Sequence, residues 1–207
     1  MPVLRTIDRE LLGRISAVLW LAPLALVLGC RSAGPAALPH PEPGPSATAR
    51  DVEFFGANPL MVPVEGVEPS RVPDTFNAPR AGGRIHAATD ILAPRGTPVL
   101  AAIQGEVIRL RQNPAGGTVA YLVDVERRYV FYYAHLDHYS DQLTEGLRVP
   151  QGFVIGYVGT SGNAPADTPH LHFQAMRIRE GQRDWWNGIP VDVRGFMKRK
   201  GESHDAE

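Results

Sequence analysis

Residues 117–126 and 128–136 are two runs rich in Val and Tyr with only Arg127 between them. That is the pattern of two antiparallel strands joined by a tight turn. So local a pairing commits its neighbours to a sheet. Further short β-prone runs at 60–64, 84–92, 99–102, 106–112, 153–158 and 171–178 are each bounded by turn residues. The expected fold is mainly β, an antiparallel sheet core with little helix. The 21 Gly and 19 Pro among 207 residues agree with this, because both interrupt long helices. One helix is expected, over 191–199 after Pro190. No internal repeat is found.

Charge and cysteine usage narrow the function. The chain carries 21 Lys+Arg against 22 Asp+Glu, a net charge of −1, without the cationic excess that a phosphate backbone rewards. Nucleic acid is not an expected partner. Cys30 is the one cysteine, so neither an intramolecular disulfide nor a Cys-rich zinc module is possible. Any metal must be held by His and carboxylates.

The amino terminus has Arg5, Arg9 and Arg14 ahead of an apolar run, 15–28, followed by Gly29-Cys30. Its 14 residues fall short of the roughly 20 that a membrane-spanning helix needs. Apolar side chains occupy every face, unlike the stripe of an amphipathic helix. The segment reads as an export signal that is cleaved. Val27-Leu28-Gly29-Cys30 resembles a bacterial lipobox, which implies cleavage before Cys30 and its lipidation. The expected organisation is a lipoprotein-type signal peptide over 1–29, a lipidated amino terminus and Pro-rich linker over 30–52, a folded domain over 53–199 and a polar tail over 200–207. His40 and His204 fall in the linker and the tail and suggest no chemistry. The expected location is the cell envelope, with the chain exported as a periplasm-facing lipoprotein of the outer membrane. Arg31, not Asp, follows the cysteine, so no signal for inner-membrane retention is evident. A monomer is favoured.

Three short phrases carry the chemistry. In His86-Ala-Ala-Thr-Asp90, an extended strand would turn both end residues to one face, where an imidazole and a carboxylate could share an ion. In Pro169-His170-Leu171-His172-Phe173, alternation turns two imidazoles one way and Leu171 and Phe173 toward the core. Tyr132-Tyr133-Ala134-His135-Leu136 ends a β-prone run. His138, at an odd offset from His135, would face away. A catalytic zinc takes three protein ligands and leaves one position open. His86, Asp90 and one of His170 and His172 would serve, leaving two imidazoles for a base and a donor to a developing oxyanion. HExxH is absent.

The residues between about Pro59 and Pro190 resemble the lysostaphin/LytM-type zinc endopeptidases that cut peptidoglycan. The phrases that carry the resemblance are Arg84-Ile-His86-Ala-Ala-Thr-Asp90-Ile-Leu-Ala-Pro94, Gly96-Thr-Pro-Val99, Gly105-Glu-Val107, Tyr133-Ala-His135-Leu136, Gly156-Tyr-Val-Gly159, Ser161-Gly-Asn163 and Pro169-His-Leu-His-Phe173. It implies one Zn2+ per chain on His86, Asp90 and His172, with His135 and His170 as catalytic histidines, and a groove over the sheet. His170 would take the proton of the attacking water and His135 would hold the oxyanion. The family's first motif has Gly where Ala88 stands and an aliphatic residue where Thr89 stands. If that Gly serves a positive φ, Ala88 would be strained; if it serves close packing, Ala is a small change.

The implied activity is zinc-dependent hydrolysis of the peptide cross-links of peptidoglycan, as a D,D-endopeptidase remodelling the cell wall. Stem peptides would be the substrate partner, with Tyr133 and Trp185 as candidate substrate contacts. The alternative reading is a catalytically silent lipoprotein of the same fold that binds the wall and activates a peptidoglycan amidase. A zinc enzyme acting on another exported peptide is a third.

Overall fold

The computed structural model describes residues 47–181 and 185–199. The expected signal segment, Cys30, His40, His204, the tail and the side chain of Trp185 lie outside the described residues. Among those described, no helix is long and apolar enough to cross a membrane.

One α-helix, α1 (Ala49–Ala57), precedes thirteen strands: β1 (Leu60–Met61), β2 (Pro79–Arg80), β3 (Arg84–Ile85), β4 (Thr89–Leu92), β5 (Pro98–Leu100), β6 (Gly105–Asn113), β7 (Gly117–Asp124), β8 (Tyr129–Tyr139), β9 (Arg148–Val149), β10 (Val154–Val158), β11 (His170–Arg177), β12 (Ile189–Val191) and β13 (Met197–Lys198). Nine of these strands form one antiparallel sheet ordered β12-β11-β8-β7-β6-β9, with β4 on β11 and with β10 joining β8 to β5. The mainly β expectation holds.

The hairpin of β7 and β8 forms where the two runs predicted it, and Asp124 fixes its turn. The carboxylate accepts from the backbone N–H of Glu126, Arg128 and Tyr129 at 2.8, 2.8 and 2.6 Å. Arg127 takes a left-handed φ of 55° within that turn. The two faces of the sheet carry clusters of different size. Phe131, Tyr133, Leu171 and Phe173 belong to the main core, while Val123, Val130 and Met176 make a smaller cluster on the other side. Alternation thus sends odd-numbered residues of β11, and of β8 as far as Tyr133, into the main core and even-numbered ones toward the second face; beyond His135 the phase of β8 shifts and Leu136 enters the core.

The helix is not where the sequence placed it. Residues 191–199 hold the last residue of β12, a 3-10 turn over Arg194–Phe196 and β13, because Met197 and Lys198 pair in parallel with Leu60 and Met61. The helix is instead α1, opened by a capping box in which the Thr48 hydroxyl accepts from Asp51 N–H and the Asp51 carboxylate accepts from Thr48 N–H. Phe54 and Phe55 bury against Tyr129, with ring centroids 4.5 and 4.6 Å away. Fully burying such rings contributes about 2–3 kcal/mol each, which anchors a helix too short to persist alone. Asp51, completely buried, accepts from Arg177 Nη1 at 2.5 and 2.6 Å and from the Tyr129 hydroxyl at 2.7 Å.

Candidate metal centre

Strand register assembles the site. β11 is flanked by β4 and β8 in its first half, and His172 stands directly opposite Asp90 on one side and Ala134 on the other. Directly paired residues share a face, so the register alone brings the His172 imidazole onto the Asp90 carboxylate. His172 Nδ1 lies 2.9 Å from Asp90 Oδ1. His170, two residues earlier, faces the same way, with Nε2 3.9 Å from that oxygen.

His86 arrives by another route than strand alternation. Residues 86–88 are not a strand, and Ala87 has a left-handed φ of 58°. The chain bends there, so that His86 Nε2 lies 3.0 Å from both Asp90 Oδ1 and His172 Nδ1. Gln174 holds the bend by donating to Ala87 O at 2.9 Å, and Ala87 N–H donates to Phe76 O at 2.7 Å. The strained residue is therefore Ala87 and not Ala88, which is buried with an ordinary backbone. Ala88 in place of the expected Gly therefore adds no backbone strain of its own.

His86, Asp90 and His172 bring three ligand atoms within 4.8 Å of one another, a group able to hold a metal ion. Two imidazoles and a carboxylate suit a borderline divalent ion. Outer contacts orient them. His86 Nδ1 faces Thr75 O at 2.9 Å, and because a carbonyl only accepts, the proton sits on Nδ1 and Nε2 is left as the ligand atom. Asp90 N–H donates to Thr75 Oγ1 at 3.0 Å, and Arg80 Nη2 donates to Asp90 Oδ2 at 2.7 Å. Burial would raise the Asp90 pKa, but when His172 and His86 carry a proton toward it their hydrogen bonds and charges outweigh burial and hold the carboxyl well below the usual range. Burial lowers the His172 pKa against the opposing pull of Asp90, favouring the neutral, ligating imidazole.

The other two histidines flank this group. His135 sits in the middle of β8 at a break in register with β7, with a left-handed φ of 61°. The bend is held by His135 N–H on Gly116 O at 2.8 Å. Gly117 and Gly162 touch across it, and a Cβ on Gly162 would fall 2.3 Å from Gly117 N, so neither position tolerates a side chain. Ser161 locks both loops, its Oγ donating to Leu136 O at 2.7 Å and accepting from Thr118 N–H at 2.9 Å. His135 Nδ1 donates to Ser161 O and His170 Nδ1 to Thr168 O, each at 2.8 Å. Both rings therefore keep Nε2 unprotonated when neutral. Their centroids are 4.9 Å apart, and burial pushes the His135 pKa down.

All five residues line one groove of about 710 Å3. Tyr133 does not belong to it: the side chain is completely buried and its hydroxyl accepts from Ala102 N–H at 2.9 Å, so it offers no surface to a substrate. Its neighbour Tyr132 does line the groove, edge-on to His172 at 5.9 Å, with burial pushing its hydroxyl up to about 12. His138 faces away, stacked on Tyr157 at 4.5 Å. Thr75, Arg80 and Gln174 were not singled out from sequence, and Ser161 stood only in the matching phrase Ser161-Gly-Asn163, with no role assigned. Of the first three only Gln174 carried a signal, continuing the alternation of His170 and His172.

The profile of Peptidase family M23 matches residues 84–192. Over 109 residues the chain is 38% identical to the L-Ala--D-Glu endopeptidase of Bacillus subtilis (strain 168), covering 50% of this chain and 33% of that protein. It is 36% identical over 111 residues to the peptidoglycan DD-endopeptidase ShyC of Vibrio cholerae, covering 51% and 24%. The chain thus spans a third or less of the length of these relatives. The structure of Helicobacter pylori Csd3 superposes with a TM-score of 0.52 and 25% identity, over 67% of this chain and 34% of that one.

Proposed function

This chain belongs to peptidase family M23, and from that membership we propose that it is a zinc-dependent endopeptidase hydrolysing the peptide cross-links of bacterial peptidoglycan. The observation that carries the reading is the convergence of His86 Nε2, Asp90 Oδ1 and His172 Nδ1 in a groove that also holds two imidazoles fixed through Nδ1. Three protein ligands with an open side toward the groove is the pattern of a catalytic zinc. A zinc ion held there supplies Lewis-acid polarisation of the scissile carbonyl and the attacking water.

The chain's own residues move the protons. His170 presents a lone pair at Nε2 and accepts the proton of the attacking water. His135 donates toward the developing oxyanion only once Nε2 also carries a proton. Because burial holds its pKa down, that cation is disfavoured in the resting groove and stabilised when negative charge appears beside it. The backbone carbonyls of Ser161 and Thr168 keep both rings from rotating away.

Incubation with purified peptidoglycan and analysis of the released muropeptides tests the reading. Cleavage should be chelator-sensitive. His172→Ala should lose both zinc and activity, while His170→Ala should keep zinc and lose about 10²–10⁴ in rate. A fully active His172→Ala protein would sink the scheme, and wall binding without any release would favour the silent amidase activator.

The D-Ala–diamino acid bond of a thin periplasmic wall is the cross-link this reading favours. Residues 1–29 then act as a lipoprotein signal and Cys30 as the lipid anchor, carrying a periplasm-facing domain on the outer membrane. Mass spectrometry of the mature amino terminus checks the cut and the lipid together.

A further inference from the structure

The short hairpin of β2 and β3 sets two arginines at the rim of the groove. Arg80 and Arg84 are direct cross-strand partners, so their side chains leave one face of the hairpin. Like charges directly opposite are destabilising, and the turn between them is fixed by Gly82 and Gly83 with φ of 75° and 73°. Both arginines line the groove, and Asp90 is the one acidic side chain that does. Arg80 is already engaged with Asp90 Oδ2 at 2.7 Å. Arg84 is exposed, and among the described residues its guanidinium has only a long contact, Nε to Ala81 O at 3.4 Å. The groove therefore holds one guanidinium more than it has carboxylates, although the whole chain is slightly acidic.

We propose that Arg84 is a specificity residue that binds a free carboxylate of an acidic peptide substrate. A guanidinium offers a planar fork matched to a carboxylate, and its seat two residues before His86 places that fork beside the metal group. The site would then prefer peptides with a free carboxylate near the scissile bond over amidated or all-glycine ones. This inference rests on the peptidase reading above.

The test uses the full zinc-loaded chain and cross-linked peptides joining D-Ala to a diamino acid, with carboxylates free or converted to amides. The wild-type chain should show a kcat/KM about tenfold higher on the free acid, expressed through KM and shrinking as NaCl is raised. In Arg84→Ala the acid-to-amide ratio should fall to about one; Arg84→Lys, which keeps charge and loses the fork, should lie between. Calorimetric binding of the same two peptides to the His170→Ala chain reads the ratio without cleavage. Acid preference there with no turnover by the wild type would overturn the endopeptidase reading and leave the Arg84 assignment standing. No acid preference, an acid-to-amide ratio unchanged in Arg84→Ala, or no binding of either peptide would overturn the assignment.

Discussion

Asp51 and Asp90 are two carboxylates, one completely buried and one partly open to the groove, each paired with an arginine, and they have opposite uses. Asp51 is saturated: the capping Thr48, the Tyr129 hydroxyl and Arg177 together occupy its oxygens, and no water reaches it. Asp90 is shared rather than saturated. Arg80 holds one oxygen while the other faces two imidazoles whose lone pairs converge on the same point, at the floor of an open groove. A carboxylate whose partners are all donors is finished as structure. One whose partners include acceptors crowded to within 3.0 Å of it is incomplete until a cation arrives.

Exchanging the two effects is the sharpest way to break this contrast. Asp90→Asn should weaken zinc binding by about three orders of magnitude or more, read by competition with a chromogenic chelator, while moving unfolding stability by less than about 1 kcal/mol. Asp51→Asn should do the reverse, costing about 3 kcal/mol in denaturant unfolding because it leaves Arg177 uncompensated, with zinc affinity retained. Burial alone would raise the Asp51 pKa, but hydrogen bonds from Thr48, Arg177 and Tyr129 lower it. Its contribution is therefore present above the unfolded value of about 3.9 and lost as pH falls through the lower folded value. The stability gap between wild type and Asp51→Asn should close in that acid range. A variant of either residue that damaged both properties equally would show that the two regions are not separable.

Legibility in the sequence follows the range of each interaction. The β7–β8 hairpin and the shared face of His170 and His172 depend on neighbours in the chain, and period-two alternation displayed them. The same rule gave the right partners for a wrong reason at His86 and Asp90, which meet through a bend at Ala87 rather than along one strand. His135 was placed at a strand end, yet the strand continues to Tyr139 because the loops at Gly116–Gly117 and Ser161–Gly162 impose a bulge on it. Nothing local to His135 encodes that contact. The helix fell outside the reading altogether. Its cap, Thr48 to Asp51, lies at the end of the stretch assigned to the linker, and the Arg177 partner that fixes it is 126 residues away.

Smaller effects test how the Asp90 side is held. Arg80→Gln removes the guanidinium from Asp90 Oδ2 while leaving the ligand itself, so zinc affinity should fall about tenfold, the low end for an outer contact because Arg80 is 44% exposed. Unchanged affinity would mean that Arg80 answers only to the groove's charge.

Ala87→Gly should have the smallest effect and bears on whether the bend is strained. At φ 58° an alanine carries a cost of about 1–2 kcal/mol that glycine does not, while glycine's freer unfolded chain gives back about 0.5–1 kcal/mol. The net expectation is a gain of about 0.5–1 kcal/mol in unfolding stability. Zinc affinity should hold, because Gln174 and Phe76 grip the backbone of residue 87 and not its side chain. A loss of affinity with a gain in stability would show that the alanine methyl stiffens the bend that carries His86 to Asp90, which would make strain at this position part of how the ligands are presented.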